Sequence, residues 1–575
     1  LPVAVVLALV GTAVVLQNRQ PVAQPFSSGA LDAVQLTTTG DSERPALSPD
    51  GRYVVYVRTE GDSYSLRVRQ TTATSDVEIV APSTGVRLWG ATVTPDGTFV
   101  DFVRGSSRRD LELWRVPFLG GTARRLLPDV HSPIAWSPDS KRMAFVRREA
   151  AANEGSIVLA DANGTNEVVL ATLRTPRTLL ALTTLSELAR PPAWSPNGRH
   201  IAAAVANGPD ELAVFDVTTG ADHALKVPAG GIFGLVWISD SSLLLNLLTA
   251  QGSPTQLWRI TYPEGQSSRI SGDLTGLLGV SIDGTRTVIA TTRQETRASV
   301  WLADGAGGQE REIVRATPFN YTVVDRSTVG WLGASALYRA FTGFPNETTQ
   351  SNLTNFRVEA EEGSPVPLAV SVEGIIGSRD GEFILVPSSE GLWRTDRDGG
   401  GRVRLLTGSA TDPVLSTDGR SIVFLWRKSP GESPSVALLP VGGGEPRVLI
   451  SGTSFRRYAL DVTRDGEHVL FALAPTDRPH VLVCSIEDCS TPREVAIPAA
   501  AVGRVRFTPD GQSIAYIDGI ARQNITVQPL DGGPTYSLTR FEDGQQIGDF
   551  AWSHDGSRLA ISRLAVRNDI VLFRD

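Results

Sequence analysis

The stretch WSPDSKRMAFVR, residues 136–147, decides the fold of this chain because close copies of it recur along the sequence. Residues 47–58 read LSPDGRYVVYVR, residues 93–104 read VTPDGTFVDFVR, and residues 552–563 read WSHDGSRLAISR. Each copy joins a turn sequence to a run of alternating apolar residues, which is typical of a β-strand. In S-P-D-G, proline fixes φ, aspartate bonds the following backbone and glycine permits a positive φ. The sequence therefore predicts one tight turn in each copy.

Eleven copies are visible, and each is marked by the Asp or Asn of its turn. These residues are Asp50, Asp96, Asp139, Asn197, Asp240, Asp283, Asp380, Asp418, Asp465, Asp510 and Asp555. The interval from Asp283 to Asp380 is about twice the usual step, so we expect a worn twelfth copy within residues 323–340. We assign all eleven a structural role in the turn. Calcium needs six to eight converging oxygens, and one carboxylate per repeat does not supply them.

The rest of each repeat predicts further strands in a fixed order, with turns or loops between them. A strand such as LELWRVPF, residues 111–118, follows the turn strand and leads through a Gly-rich turn into a last strand. The chain has 55 Gly and 36 Pro, which indicates many turns and an all-β class. Four short antiparallel strands in about 40–45 residues are the blade of a β-propeller.

These repeats resemble the TolB-type propeller repeat, a bacterial relative of the WD repeat, over about residues 34–575. The resemblance rests on eleven turns at near-constant spacing, with L-W-x-x-D-like strands and Gly-Gly turns between them. TolB-type propellers are typically six-bladed. The resemblance therefore implies that twelve repeats divide into two tandem six-bladed β-propellers.

The predicted organisation begins with an N-terminal hydrophobic helix. We expect a transmembrane anchor over residues 1–17, a tether over 18–33, one propeller over 34–306 and a second over 307–575. Residues 34–39 would complete the blade that holds Asp283, and residues 311–317 would complete the blade that holds Asp555. Each ring would then be closed by a strand from its own beginning, and no sheet edge would stay open. A seven-and-five split is the alternative.

Residues 1–16, LPVAVVLALVGTAVVL, are the basis for the predicted anchor. As a helix this uncharged run is about 24 Å long, whereas a bilayer core is about 30 Å thick. Because the chain starts at Leu1, we expect the rest of the helix and its basic flank upstream. A signal-peptide core and a buried helix are the alternatives, and the first lacks a nearby small-residue cleavage site.

Charge and cysteine content exclude several classes of protein. The formal net charge is −8, from 54 basic and 62 acidic residues, which argues against nucleic-acid binding through this chain. Two cysteines exclude a disulfide-dense scaffold and a Cys-rich zinc module. Cys484 and Cys489 lie across a predicted hairpin at a separation that suits a disulfide. An oxidised pair needs an extracytoplasmic compartment, and two free thiols are the alternative.

No catalytic motif appears in the sequence, so we predict no enzyme activity, metal or cofactor for this chain. The nearest approach to G-x-S-x-G, residues 333–337, lacks the second Gly, and there is no phosphate-binding loop. The six histidines form no H-x-H or H-E-x-x-H pair. These are His131, His200, His223, His468, His480 and His554. The tryptophans before the turns, Trp136, Trp194, Trp237 and Trp552, are interpreted as core between blades.

The chain resembles the C-terminal region of bacterial transmembrane serine/threonine kinases that carry TolB-type repeats, most of all over residues 549–575. In that family a cytoplasmic kinase precedes a single membrane helix. The resemblance implies a membrane-anchored, extracytoplasmic (periplasmic) module without catalysis, which senses or binds a protein or peptide partner in the envelope. No kinase motif occurs in this chain. The alternatives are a TolB-like envelope scaffold, the outer part of a membrane-anchored winged-helix regulator, and a propeller that binds sugar or acts at its channel mouth.

Overall fold

The structure, a computed structural model, describes Phe26 and residues 32–574 with short gaps. The gaps are 62, 107–109, 150–153, 181–189, 208–209, 229, 250–253, 272–275, 315–317, 320–328, 342–352, 360–362, 371–373, 417, 430, 453–454, 474–479, 499–500 and 520–522. The expected anchor therefore lies outside the described residues. Within the described part, no helix has the length and apolarity needed to cross a bilayer.

Every regular element in the described part is a β-strand, which confirms the all-β class. The first 24 are β1 (Asp32–Gln35), β2 (Ser42–Leu47), β3 (Tyr53–Glu60), β4 (Ser63–Gln70), β5 (Asp76–Thr84), β6 (Arg87–Val93), β7 (Phe99–Gly105), β8 (Glu112–Pro117), β9 (Arg124–Pro128), β10 (Ala135–Trp136), β11 (Arg142–Glu149), β12 (Glu154–Asp161), β13 (Val168–Arg174), β14 (Thr178–Leu179), β15 (Ala193–Trp194), β16 (His200–Ala206), β17 (Asp210–Asp216), β18 (Asp222–Leu225), β19 (Gly231–Ser239), β20 (Ser242–Leu248), β21 (Gln256–Thr261), β22 (Ser267–Arg269), β23 (Gly276–Ile282) and β24 (Val288–Asp304).

The later strands repeat the same succession of short elements. They are β25 (Arg311–Val314), β26 (Pro318–Phe319), β27 (Val329–Leu332), β28 (Ser335–Phe341), β29 (Leu353–Glu359), β30 (Val366–Pro367), β31 (Ile376–Gly377), β32 (Phe383–Ser388), β33 (Gly391–Asp396), β34 (Val403–Thr407), β35 (Ser409–Leu415), β36 (Ser421–Arg427), β37 (Ser435–Pro440), β38 (Arg447–Ser451), β39 (Phe455–Val462), β40 (His468–Leu473), β41 (His480–Ser485), β42 (Arg493–Ala496), β43 (Val502–Phe507), β44 (Ser513–Asp518), β45 (Asn524–Pro529), β46 (Tyr536–Ser537), β47 (Gln546–Trp552) and β48 (Arg558–Arg574).

Ten sheets are built from strands that follow one another in the chain and pair antiparallel. Nine of them have four strands: β2–β5, β6–β9, β10–β13, β19–β22, β27–β30, β31–β34, β35–β38, β39–β42 and β43–β46. The tenth, β14–β18, has five strands because β14 and β15 both pair with β16. Sheets of this form are typical of propeller blades. The sheet β27–β30 overlaps the segment where a worn repeat is expected.

The eleventh sheet joins the middle of the chain to its far end. β24 and β48 pair along all 17 residues of each strand, from Val288 opposite Arg574 to Asp304 opposite Arg558. β23 and β1 flank one half of this pair, giving the strand order β23–β24–β48–β1. β47 and β25 flank the other half, giving the order β47–β48–β24–β25. Each long strand is therefore second in one half of the sheet and third in the other.

This exchange of third strands corrects the expected closure of the sheets. β1 does join the sheet half that holds Asp283, and β25 joins the half that holds Asp555, as expected. The expected third strands, however, are interchanged, since 569–574 lies beside β1 and 299–304 lies beside β25. The physical reason is that β24 and β48 contain no Gly or Pro, so no turn separates their two halves. The division of the chain at residues 306 and 307 stays a prediction.

The first strands of the sheets form two closed circles. The N-terminal sheet group consists of the five sheets from β2 to β22 and the β23–β24–β48–β1 half of the shared sheet, and the remaining sheets form the C-terminal sheet group. In the N-terminal sheet group, the first strands surround one cavity, and β23 contacts β2; these strands are β2, β6, β10, β15, β19 and β23. In the C-terminal sheet group, β27, β31, β35, β39, β43 and β47 contact one another in that order, and β47 contacts β27. Apolar residues of neighbouring sheets, such as Val55 and Phe102, are fully buried between them. Residues of the repeat turns line the same cavities as these first strands, and this end of each circle is called its mouth.

One residue of the predicted tether belongs to the folded core. Phe26 is 1% exposed and packs in a cluster with Leu244, Leu257 and Phe573. Burying an aromatic side chain is worth a few kcal/mol, about 1.5–3 relative to leaving it in water. Phe26 therefore attaches the predicted tether to the N-terminal sheet group, whereas a fully solvated tether would make no such contact.

Candidate functional site

The repeat turns are built by one hydrogen-bond pattern. In the first turn, the Ser48 hydroxyl donates to Asp50 Oδ1 at 2.5 Å, and Oδ1 also accepts from the Arg52 N–H at 3.1 Å. Ser48 Oγ in turn accepts from the Tyr53 N–H at 2.9 Å, where the next strand begins. The same pattern occurs around Asp96, Asp139, Asn197, Asp380, Asp418, Asp465, Asp510 and Asp555. The donors to the carboxylate lower the pKa of Asp139, the hydroxyl of Ser137 most of all.

Two of the eleven predicted turn residues have a different role. Asp283 takes the position of the serine, since its carboxylate accepts from the N–H of Thr287 at 2.9 Å and of Val288 at 2.8 Å. Asp240 lies in the two-residue turn between β19 and β20. Its Oδ1 accepts from the Asn197 N–H of the neighbouring sheet at 2.8 Å. Asp240 therefore links two sheets, whereas the sequence places it within its own turn.

The turn pattern gives a prediction at Asp139, which lies in an exposed turn. Replacing Asp139 with alanine removes the acceptor of the Ser137 hydroxyl and the Lys141 N–H, and should lower the free energy of unfolding by about 1 kcal/mol. Asp139→Asn is the matched control, because Asn197 makes the same bonds in its own turn. Urea unfolding of the three proteins measures the effect. Equal losses in both variants would show that the charge, and not the hydrogen bonds, stabilises the turn.

The mouth of the N-terminal sheet group encloses a cavity of about 440 Å³. Prolines of three repeat turns line it, Pro49, Pro95 and Pro138, together with the small side chains of Ala91 and Ala135. Proline has no backbone N–H, so these turns present an apolar rim. Three charged residues, Arg44, Asp283 and Arg286, also line the cavity.

The tryptophans before the turns lie between sheets, as expected from the sequence. Trp237 is 2% exposed and donates from Nε1 to the Ala193 carbonyl of the next sheet at 3.0 Å. Trp552 donates to the Gly305 carbonyl at 2.9 Å. The first bond joins two neighbouring sheets, and the second joins β47 to the end of β24 within the shared sheet.

The first strands of the C-terminal sheet group bury a cluster of charged side chains. Asp549 Oδ1 accepts from Arg504 Nε at 3.1 Å and lies 3.8 Å from Arg506 Nη2, with all three side chains buried. Arg506 Nε donates to the Phe550 carbonyl at 2.6 Å, and Asp461 accepts from the Phe507 N–H at 2.7 Å. Burial lowers the pKa of Arg506 and raises the pKa of Asp461. These residues carry no recognisable sequence motif, and only their convergence from neighbouring strands identifies them.

The remaining candidates are local features of one sheet. Cys484, near the end of β41, and Cys489 form a buried disulfide with Cα atoms 5.1 Å apart. Asp465, Glu467 and His468 are the one group in the described part whose ligand atoms could meet on a metal ion, and all three are exposed. Asp465 Oδ1 already accepts from the Thr463 hydroxyl and the Glu467 N–H, which is its role in the turn.

No protein-family model matches this chain, and no curated protein matches it. Three solved structures show a distant likeness. The structure of "putative TolB" from Agrobacterium tumefaciens is 16% identical, with a TM-score of 0.37 over 47% of this chain and 99% of that chain. A nidogen–laminin complex is 12% identical, with a TM-score of 0.32 over 46% of this chain and 98% of that chain. The tricorn protease is 12% identical, with a TM-score of 0.30, and the match covers 90% of this chain and 59% of that protein. By its own sheets, the chain is an all-β protein made of propeller-type blades.

Proposed function

We propose that this chain is a pair of six-bladed propellers that binds a protein or peptide partner at the mouth of its N-terminal sheet group. In this proposal it is the extracytoplasmic, non-catalytic part of a membrane-anchored bacterial signalling protein. The observation that carries the binding role is the proline-rimmed cavity of about 440 Å³ at that mouth. Its size lies within the roughly 300–1,000 Å³ range of ligand pockets.

The strand topology supports two rings of six. The sheet that contains β24 and β48 divides into two sets of four strands, β23–β24–β48–β1 and β47–β48–β24–β25, and each set would be one blade. Each of the other ten sheets would be one further blade. The first strands then divide into two circles with six members each. A ring closed in this way has no open sheet edge at its seam, which is the usual reason for sharing strands between distant parts of a chain.

The lining of the N-terminal cavity favours a peptide over a small polar metabolite. Pro49, Pro95 and Pro138 form an apolar rim that could receive one aliphatic or aromatic side chain. Arg44 and Arg286 outnumber the one carboxylate residue of the lining, Asp283, and their positive charge favours an acidic group beside that anchor. A buried anchor with a polar surround is the common arrangement of binding sites for protein segments.

The location and context of the module rest on the sequence and on the disulfide. The apolar run of residues 1–16 suits an anchor, and a disulfide such as Cys484–Cys489 persists outside the cytoplasm. The resemblance to kinases with TolB-type repeats implies a catalytic domain on the other side of the membrane. Reading the open reading frame upstream of Leu1 tests this context. A kinase or helix-turn-helix pattern there supports a signalling protein, and a start codon within a few residues contradicts it.

The binding role is tested by selecting random twelve-residue peptides on the purified chain by phage display. Ala135 lines the cavity, so Ala135→Glu places a charge in the apolar site. We expect the selected peptides to bind this variant at least tenfold more weakly than the parent chain. Ala221→Glu is the matched control, because Ala221 is exposed in a turn outside the cavity. Absence of saturable peptide binding, or equal binding by both variants, would contradict the proposal.

A further inference from the structure

A cross-strand pair of tryptophan and arginine occurs at one equivalent position in three sheets. The tryptophan belongs to the third strand and the arginine lies opposite it in the fourth. The pairs are Trp114 with Arg125, Trp258 with Arg269 and Trp393 with Arg404. Residues that lie opposite each other in an antiparallel pair are close enough for their side chains to interact. The same arginine can therefore be compared in three surroundings.

In two of these sheets, the residue two positions before the tryptophan accepts a hydrogen bond from the arginine. Arg125 Nη1 donates to Glu112 Oε1 at 2.7 Å, and the two residues also form an ion pair. Arg269 Nη1 donates to Gln256 Oε1 at 3.4 Å. In both sheets the arginine is therefore bound by a side chain of its own sheet.

The sheet β31–β34 has no such acceptor, because the position two residues before Trp393 is Gly391. A Cβ atom on Gly391 would lie 2.1 Å from the Leu406 carbonyl oxygen. That distance is far below van der Waals contact, so this backbone has no room for a glutamate or glutamine side chain. Arg404 therefore lacks the partner that the equivalent arginines have, and the reason lies in the backbone of the sheet.

A second arginine joins Arg404 on the same ring. The Cζ atoms of Arg402 and Arg404 lie 4.3 and 4.6 Å from the centroid of the Trp393 ring, within the range of a cation–π contact. Both arginines are exposed, and neither has an ion pair or a side-chain hydrogen bond within the described part of the chain. We call Trp393, Arg402 and Arg404 the Trp393 patch. In the other two sheets, the position equivalent to Arg402 holds Ala123 and Ser267, so this second arginine is specific to the sheet β31–β34.

The carboxylates of the turn that leads to Arg402 are bound elsewhere. Asp396 Oδ1 accepts from the Asp398 N–H at 3.0 Å and from the Gly400 N–H at 2.7 Å, which is its role in the β33–β34 turn. Asp398 Oδ1 lies 3.4 Å from Arg357 Nη2 of the adjacent sheet. The Trp393 patch therefore holds two like charges on one ring without a paired carboxylate, and a bound anion would stabilise this arrangement.

We propose that the Trp393 patch binds an acidic segment of a partner protein, with Arg402 and Arg404 each pairing with one carboxylate. A planar guanidinium that stacks on an aromatic ring keeps the N–H groups at its edge free for two parallel hydrogen bonds to a carboxylate. Stacking also holds both guanidiniums in position before the partner arrives, which lowers the entropy lost on binding. The patch lies in the C-terminal sheet group, so this proposal does not rest on the peptide site proposed for the N-terminal sheet group.

The surroundings of the Trp393 patch favour a narrow acidic segment over a flat anionic surface such as a membrane. Asp396 and Asp398 are exposed in the turn that leads to the patch, and their negative charge would repel a surface that covers the whole turn. A peptide segment can place its carboxylates on the two arginines alone. The pattern of charge on this sheet is therefore complementary to a protein segment.

The experiment titrates the full chain into a fluorescein-labelled twelve-residue peptide of alternating glutamate and serine, and follows fluorescence anisotropy at pH 7.5 and low salt. The matched peptide has glutamine in place of every glutamate. Because the chain has a formal net charge of −8, general attraction of an acidic peptide is not expected, and saturable binding reports a local site. We expect the glutamate peptide to bind at least tenfold more tightly than the glutamine peptide. Equal binding of the two peptides, or no saturable binding of the glutamate peptide, overturns the proposal.

Single substitutions locate the site. Arg402→Gln and Arg404→Gln each remove one guanidinium from the exposed patch, and each should weaken binding of the glutamate peptide by about fivefold. Arg125→Gln is the matched control, because Arg125 holds the position of Arg404 in the sheet β6–β9 but is already paired with Glu112. It should leave the affinity unchanged. Losses in the site variants no larger than the loss in Arg125→Gln overturn the assignment, and circular dichroism verifies that each variant is folded.

Vesicles test the other occupant of this surface. The full chain is sedimented with phosphatidylcholine vesicles that either contain or lack phosphatidylglycerol, and the difference between the two measures binding to anionic lipid. We expect Arg402→Gln and Arg404→Gln to leave this difference unchanged. A difference that is lost in both variants, without peptide binding by the parent chain, would assign the Trp393 patch to lipid headgroups and overturn the proposal.

Discussion

Replacing Leu572 with alanine should destabilise the N-terminal sheet group by about 2–5 kcal/mol, although Leu572 lies in the last strand of the described chain. Leu572 is fully buried and packs against Leu36, Leu47, Val54 and Ala290. Its strand is the third of the half sheet that holds β23 and β1. The alanine leaves a cavity between strands that are hundreds of residues away in the sequence. Hydrogen exchange should therefore speed up in β1, β2 and β23 as well as in β48.

The control for Leu572→Ala is Leu119→Ala, because Leu119 is 76% exposed and its truncation removes little packing. Its effect should stay within about 0.5 kcal/mol. If the loss of protection in Leu572→Ala were confined to β47 and β48, the exchanged strand would not be part of the N-terminal sheet group. That result would contradict the pairing on which the closure depends.

Replacing Asp549 with alanine should destabilise the C-terminal sheet group by about 3–5 kcal/mol, because it removes the carboxylate that pairs with the buried Arg504 and lies near the buried Arg506. Asp549 also accepts from the Val329 N–H at 3.3 Å, which connects β47 to β27 where the circle of first strands closes. The variant therefore loses an ion pair and a bond across the seam. Local hydrogen exchange at β27, β43 and β47, together with urea unfolding, measures the effect.

Glu60→Ala provides the comparison for Asp549→Ala. Glu60 pairs with Arg58 at 2.9 Å, but its side chain is 53% exposed, and surface pairs contribute only about 0–1 kcal/mol. A loss at Asp549 no larger than the loss at Glu60 would mean that water reaches the Arg504–Asp549 pair and screens it. The interpretation of Arg504 and Asp549 as an ion pair shielded from water would then be wrong.

The turns of this fold could be predicted from the sequence because their chemistry is local. The hydroxyl, carboxylate and glycine that build the Asp50 turn lie within four residues, and their spacing repeats. The same locality leaves the register of one turn open. Asp283-Gly284 has the D-G signature, yet the next strand begins five residues after Asp283, whereas it begins three residues after Asp50, so Asp283 replaces the serine of the pattern. The sequence alone does not distinguish these two registers.

The pairing of β24 with β48 and the two mouths could not be predicted in this way. Each half of these long strands has the alternation of an ordinary blade strand, and alternation does not identify a partner. Cavities formed by distant turns require the three-dimensional arrangement.

The exchanged strands also constrain how the chain is made. Strand 569–574, which β1 and β24 require as their neighbour, leaves the ribosome long after β23. Until then the unpaired edges of β1 and β24 face the surroundings, and such edges attract other strands. The N-terminal sheet group therefore stays incomplete until β48 has been synthesised, and chaperones that cover its open edges during this delay would protect it from aggregation.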